Sequence, residues 1–314
     1  MSIVRSLLGL RGLDAKSITT LLDRGEAMLS RVDGRGQIEP GPATSGLVGL
    51  LFLEDSTRTR GSFEAAVHRL GHRPITITGQ GSSASKGETL ADTARNLAAM
   101  GVQALVVRTE LSGGASHVAK AVDIPVINAG DGRHEHPTQA LLDASTLRAR
   151  LGSLENRRIA IVGDILNSRV ARSNLHALHT LGAQILLIGP PALVPWRLAN
   201  FLPGGPDRIR VSHDLDAVLD GVDAVMMLRI QRERAAGRAI GGDYRRAFGM
   251  TVDRAASLAP EVPILHPGPI NRGVELDDEV ADRIDRSLIL DQVRRGTAIR
   301  MAVIETALAA SVGH

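Results

Sequence analysis

Short β-branched runs that alternate with helix-period stretches constrain this chain more than any other feature. Apolar runs fall at residues 46–53, 74–78, 103–107, 124–128, 159–162, 184–188, 223–228 and 262–265. Between them lie stretches with apolar residues at i, i+3, i+4 spacing, as in Ser17–Ser30, Glu88–Met100, Gly114–Val122, Pro137–Arg150 and Arg169–Leu181. Strand followed by helix, repeated, predicts parallel sheets covered on both faces. In such sheets ligands bind beyond the carboxyl ends of the strands. At 314 residues the chain has room for about two domains, and RRIAIVGD at 157–164 begins the second run of the pattern.

The residues that follow the first strand carry the strongest chemical signal. Ser56-Thr57-Arg58-Thr59-Arg60 stands between the apolar run and a helix whose buried face is read as Phe63, Ala66, Val67 and Leu70. Orphan backbone N–H groups, hydroxyl donors, the positive end of the helix dipole and guanidinium forks converge there. This combination suits a phosphate-like dianion. One Ser or Thr in such a place would be an N-cap and nothing more; three hydroxyls and two arginines in one turn point further.

Other strand ends add to the set. Residues 103–107 end in Arg108, and 124–128 open into AGDGRHEHPTQALLD, where Pro137 suits the first turn of a helix. The loop 79–88 is small and polar, reads as mobile, and contains Lys86; of 37 basic residues only Lys16, Lys86 and Lys120 are lysine. In the second half, Gly163-Asp164-Ile165-Leu166-Asn167-Ser168 occupies the place of a nucleotide-binding turn but lacks G-x-G-x-x-G, which argues against a dinucleotide. Arg169 sits near a helix start, where a cation opposes the dipole. Residues 223–228 end in Arg229, and the arginine-rich stretch 230–248 shows little helical period and reads as a mobile loop. His266-Pro267-Gly268-Pro269 reads as a rigid turn with few donors, and a last helix is read over Ala298–Ala310.

Composition removes several classes. Cysteine is absent, so disulfides, thiolate catalysis and cysteine metal sites are excluded, and a cytoplasmic setting is expected. No apolar run approaches the ~18 residues of a membrane span, and the N-terminus, with its short apolar part, does not read as a signal peptide. Net charge is only +3 and aromatics are 2%, so neither a basic stripe nor stacking platforms for nucleic acid are seen. His134-Glu135-His136 matches no zincin spacing, so no metal and no cofactor is expected.

Taken in order, Ser56–Arg60, Ser85-Lys86-Gly87-Glu88-Thr89, His136-Pro137-Thr138-Gln139-Ala140-Leu141, Met227-Leu228-Arg229-Ile230-Gln231 with Glu233-Arg234, and His266-Pro267-Gly268-Pro269 resemble the aspartate carbamoyltransferase family over essentially the whole chain. The resemblance implies an α/β protein of two domains, each a parallel sheet flanked by helices. A carbamoyl-phosphate domain would span 1–150 and an aspartate domain 151–291, with the helix from about 292 to 314 packing back on the first. It implies transfer of the carbamoyl group of carbamoyl phosphate to the amine of L-aspartate, in pyrimidine synthesis.

Carried over residue by residue, the resemblance assigns the phosphate to Ser56, Thr57, Arg58, Thr59 and Arg108. Thr59, Arg108 and His136 would polarise the carbonyl. Gln139 and the backbone at Gly268 and Pro269 would receive the carbamoyl amine. Arg169, Arg229, Gln231 and Lys86 would take the aspartate carboxylates, Ser82 and Lys86 arriving from a neighbouring subunit of a homotrimer. Glu54 would bridge to Arg169 and Arg234 on domain closure. A regulatory chain or a dihydroorotase is a further partner that the family allows. Asp55 stands where many relatives have proline, and is expected to face solvent; Arg133 and His134 are read as bystanders. An ornithine enzyme shares the phosphate turn, but its family has a His-Cys-Leu-Pro turn and lacks the Lys-Gly-Glu loop. An inactive scaffold would have lost some of the named residues, and none is lost.

Overall fold

The computed structural model describes residues 5–34, 46–79, 87–230, 243–283 and 285–310. It divides into two units, Met1–Leu142 with Val293–His314, and Asp143–Gln292. Both boundaries fall inside helices and not in loops. For that reason a sequence reading, which ends a domain where a helix ends, sets the first boundary later.

In the first unit a four-stranded sheet is built from β1 (Leu47–Phe52), β2 (Arg73–Thr78), β3 (Val102–Thr109) and β4 (Val126–Asp131), in the order β2-β1-β3-β4. Every pairing is parallel. The helices are α1 (Ala15–Val32), α2 (Thr57–Arg69), α3 (Leu90–Ala99), α4 (Gly114–Ala119) and α5 (Pro137–Leu151), whose last turns lie in the second unit. β1 and β3 are buried almost throughout, as a sheet covered on both faces requires. Edge strand β2 is only half-buried. In α2 the predicted apolar face holds for Phe63, Ala66 and Val67, all fully buried. Leu70 is the C-cap and only half-buried, because the helix ends before its side chain can reach the core. Burying Phe63 contributes about 1.5–3 kcal/mol, and its ring meets Phe52 edge-on at 6.5 Å.

The second unit has a five-stranded parallel sheet of β5 (Arg158–Val162), β6 (Gln184–Ile188), β7 (Ile209–Ser212), β8 (Ala224–Met227) and β9 (Ile264–Leu265), ordered β7-β6-β5-β8-β9. Its helices are α6 (Arg169–Thr180), α7 (Tyr244–Phe248), α8 (Val252–Ser257) and α9 (Asp278–Ala281), followed by α10 (Ile289–Ala309), which begins here and continues into the first unit.

Two expectations need correction, and one strand was not anticipated. Residues 244–248, at the end of the arginine-rich stretch, form α7, because Tyr244 and Phe248 at i, i+4 are both buried. β7 has only four residues at a sheet edge and left no readable period. The last helix starts at Ile289, near the 292 that the resemblance implies and not at Ala298, where its apolar period is read; its first turns carry Asp291, Gln292, Arg294 and Arg295, which hide that period. Those arginines are used within the first unit: Arg294 grips Asp33 through two contacts of 2.6 Å, and Arg295 reaches Glu26 at 2.6 Å. α1 and α10 pack so closely that a Cβ on Gly25 would stand 2.5 Å from Cδ1 of Ile299, so a larger residue here would have to shift that side chain.

Candidate active site

An open parallel sheet has a crevice where the chain, having built strands in one direction, returns to build in the other. In the first unit β1 is followed by β2 on one side and by β3 on the other, so the crevice lies between the carboxyl ends of β1 and β3. Those ends are the turn leading to Ser56 and the end of β3 at Arg108. Phe52 and Arg108 are paired in register, and the Leu53 N–H donates to the Arg108 carbonyl at 2.9 Å.

Ser56 is the N-cap of α2, its Oγ accepting from the Thr59 N–H at 3.3 Å. Thr57, Arg58 and Thr59 therefore form the first turn of a 13-residue helix, where backbone N–H groups lack intrahelical acceptors. Thr59 is buried, while Thr57 and Arg58 keep exposed surface. The protein mass around Arg58 still disfavours its charge and lowers its pKa, yet a guanidinium stays protonated. Asp55 is exposed, as expected.

Arg108 is buried to 8% exposure. Its Nη2 donates to Oε1 of Glu54 at 2.8 Å and its Nη1 to the Ala129 carbonyl at 3.2 Å, contacts that set the plane of the fork. Glu54 thus pairs with Arg108 inside the first unit, a contact the residue pattern did not suggest.

His136, Thr138 and Gln139 are all buried at the start of α5. What fixes the turn before them was missed in the sequence. Asp131, fully buried at the end of β4, accepts from the Gly113 N–H at 2.9 Å, the Glu135 N–H at 3.1 Å and Asn128 Nδ2 at 2.8 Å. Asn128 closes the turn by accepting from the Gly130 N–H at 2.8 Å. β4 consequently runs to Asp131, beyond the apolar residues that made it legible. The signal was an Asn-x-x-Asp pair in a Gly-rich turn, which reads as generic turn chemistry. Glu135 holds the Leu10 N–H at 2.8 Å, and His134 Nδ1 stands 3.1 Å from Asp131.

In the second unit β5 is flanked by β6 and β8, so its crevice lies between the carboxyl ends of β5 and β8. Arg169 opens α6 after the Ser168 N-cap on the β5 side, and Arg229 follows β8; both are half-buried. The intervening turn is filled by its own anion: Asp164, buried, accepts from the Asn167 N–H at 3.1 Å and from Asn167 Nδ2 at 3.0 Å. Gly268 and Pro269 follow β9, Gly268 half-buried and Pro269 exposed. Ser82, Lys86, Gln231, Glu233 and Arg234, with the mobility read for 79–88 and 230–248, lie outside the described residues except at the flanks.

Comparison with known proteins bears on this arrangement. Residues 5–149 match the family model of the aspartate/ornithine carbamoyltransferase carbamoyl-P binding domain, and 155–307 that of the Asp/Orn binding domain. The aspartate carbamoyltransferase catalytic subunit of Myxococcus xanthus is 49% identical over 313 residues, covering 98% of this chain and 100% of that one. The Trypanosoma cruzi aspartate transcarbamoylase, solved with carbamoyl aspartate and phosphate, superposes with a TM-score of 0.87 at 30% identity, covering 96% of this chain and 95% of that one. The ornithine carbamoyltransferase of Pyrococcus furiosus gives 0.83 at 26% identity, covering 98% and 97%. The chain belongs to the aspartate/ornithine carbamoyltransferase family, and within it to the relatives that are aspartate carbamoyltransferase catalytic subunits.

Proposed function

We propose that the chain is an aspartate carbamoyltransferase that forms N-carbamoyl-L-aspartate and phosphate in pyrimidine biosynthesis. The observation that carries this reading is the filling of the two sheet crevices. In the first unit hydroxyls, a helix N-terminus and Arg108 stand at the β1–β3 crevice, which suits a phosphate ester. In the second unit Arg169 and Arg229 stand at the β5–β8 crevice, which suits carboxylates. Full-length similarity to catalytic subunits of this activity supports the same conclusion.

In the reaction the amine of aspartate attacks the carbamoyl carbon. The C–N bond forms, the C–O bond to phosphate breaks, and the departing phosphate takes the proton that the amine sheds. Negative charge grows first on the carbonyl oxygen. Thr59, Arg108 and His136 stabilise it there, each donor contributing about 3 kcal/mol. Ser56, Thr57, Arg58 and Arg108 hold the phosphate. Gln139 and the backbone at Gly268 and Pro269 receive the carbamoyl NH2 group. Arg169, Arg229, Gln231 and Lys86 take the aspartate carboxylates, and Glu54 and Arg234 act in closure. Cations at both substrates also offset the repulsion between two anions, and alignment supplies a further share of the rate.

The acidic co-substrate is favoured over ornithine because Arg229 would repel an ammonium group, and the turn after β9 is His-Pro-Gly-Pro without cysteine. We place the enzyme in the cytoplasm as a homotrimer in which Ser82 and Lys86 of one chain complete the neighbour's site, alone or with a regulatory chain or dihydroorotase. Purified protein given carbamoyl phosphate with either aspartate or ornithine is expected to yield carbamoyl-aspartate alone; no such product would overturn the reading. Mixed Lys86→Ala and Arg108→Ala chains, each inactive, are expected to regain activity once subunits exchange. Exchange without recovery would remove the shared site.

A further inference from the structure

His266 opens the turn whose backbone is assigned to the carbamoyl NH2 group, and its side chain is wholly buried. The Gly268 N–H donates to His266 Nδ1 at 2.7 Å, so Nδ1 carries no proton. The proton of the neutral ring is then on Nε2, which stands 3.2 Å from Oε1 of Glu275. Glu275 is itself wholly buried, and the same oxygen accepts from the Asn271 N–H at 2.6 Å. Asn271 in turn donates from Nδ2 to the Ile230 carbonyl at 3.0 Å, one residue beyond Arg229. The backbone of His266 is held as well: its N–H donates to Oε1 of Gln292 at 3.0 Å, and Gln292 is oriented by Asp143 at 2.7 Å.

A buried carboxylate is costly unless its oxygens are used. Here one oxygen serves the two ends of a six-residue turn, His266 to Asn271, and in doing so selects a tautomer. Gly268 has φ +60, so the turn passes through left-handed backbone that depends on its anchors. The Nδ1–H tautomer or a cationic imidazole would set a donor against the Gly268 N–H.

We propose that Glu275 is a positioning residue: by holding His266 in the Nε2–H tautomer it makes Nδ1 the acceptor that fixes Gly268, and so sets where the Gly268 and Pro269 carbonyls meet the carbamoyl NH2 group. This rests on the proposed function for the role of the turn, but the tautomer does not. The device acts through the neutral ring and needs no proton transfer. It couples the carbamoyl turn to the Arg229 segment through Asn271.

The test has two arms. In the full-length 15N-labelled protein without substrate, a two-bond 1H–15N imidazole correlation is expected to show a ring in the Nε2–H form that is lost in His266→Asn. It should persist in Glu275→Gln and change in Glu275→Ala. Kinetically, Glu275→Ala is expected to lose about tenfold to a hundredfold in kcat/KM for carbamoyl phosphate, the scale of a displaced contact. Glu275→Gln should recover most of it. His266→Asn, which keeps an acceptor near the Nδ1 position, should retain more activity than His266→Gln, which does not. A wild-type ring that is cationic or Nδ1–H overturns the proposal, as does a folded Glu275→Ala chain with unchanged kinetics or a His266→Gln chain more active than His266→Asn. If Glu275→Ala does not fold, the wild-type tautomer and the Glu275→Gln kinetics decide. If the wild type makes no carbamoyl-aspartate, the functional reading fails while the tautomer arm still reads out.

Discussion

The turns after β1 and after β5 are the same architectural object with opposite chemistry. Each leads from a buried parallel strand into a helix capped by serine: Ser56 accepts from Thr59 N–H, and Ser168 from Ala171 N–H at 3.1 Å. After β1 the turn offers hydroxyls and guanidinium groups, and no carboxylate is bonded to its helix start among the described contacts. After β5, Asp164 is already bonded to Asn167 and supplies an anion from within the chain. A strand–turn–helix frame therefore sets where a ligand can bind, while a few side chains decide whether the turn's own donors are left open or taken by a carboxylate of the chain.

The largest effect that would test this contrast is Arg108→Ala. It removes the donor proposed for the carbonyl and is expected to lower kcat by about three orders of magnitude. It also removes the 2.8 Å ion pair with Glu54, and so lowers stability in denaturant unfolding. Stability loss with intact kcat would show that the pair is structural only.

Next come the two caps. Ser56→Ala and Ser168→Ala should each cost about 1 kcal/mol, but only Ser56→Ala should raise the KM for carbamoyl phosphate. Equal KM changes in both would erase the distinction between the turns.

A smaller difference concerns pH. Two Arg245 contacts of 2.7 Å, together with the Val252 N–H, hold the pKa of Asp277 below the usual carboxylate range. Its pairing therefore stabilises the second unit fully above the unfolded pKa of about 3.9, and that stability is lost as pH falls through the lower folded value. Asp277→Asn should destabilise at neutral pH, and the gap to wild type should close as the pH falls below the usual carboxylate range. Emission from Trp196, the sole tryptophan and a residue of this unit, can follow it. A gap that widens on acidification would contradict the pairing.

The smallest effect is expected at Asp55, exposed beside the Ser56–Arg60 turn. Asp55→Ala should change stability by no more than about 0.5 kcal/mol, with a slight fall in the KM for carbamoyl phosphate as a negative charge is removed. A large change would make Asp55 part of the turn's function.

Much of the candidate site could be proposed from sequence because its chemistry is local. Ser56 to Arg60 lie in one helical turn, and His136 to Gln139 in another, so residue type and spacing alone put donors together. The buried supports were not legible. Asp131, Glu275 and Gln292 look like ordinary polar residues, and their partners Gly113, His266 and Asp143 lie 18, 9 and 149 positions away. The edge strand β7 and the polar first turns of α10 were missed for a related reason. Short or amphipathic segments take their structure from neighbours more than from their own period.

What this sequence determined by itself is the run of parallel strands and helices, the hydroxyl- and arginine-rich turn at a helix start, and the list of candidate donors. These follow from periodicity and from side-chain chemistry within a few residues. Only the tertiary structure decided the strand orders β2-β1-β3-β4 and β7-β6-β5-β8-β9, and hence which strand ends face each other across a crevice. It also decided that Arg108 is held by Glu54 and the His266 ring by Glu275. Such contacts depend on burial and on distances between segments far apart in the chain, where low dielectric makes each unpaired polar group costly and thereby selects its partner.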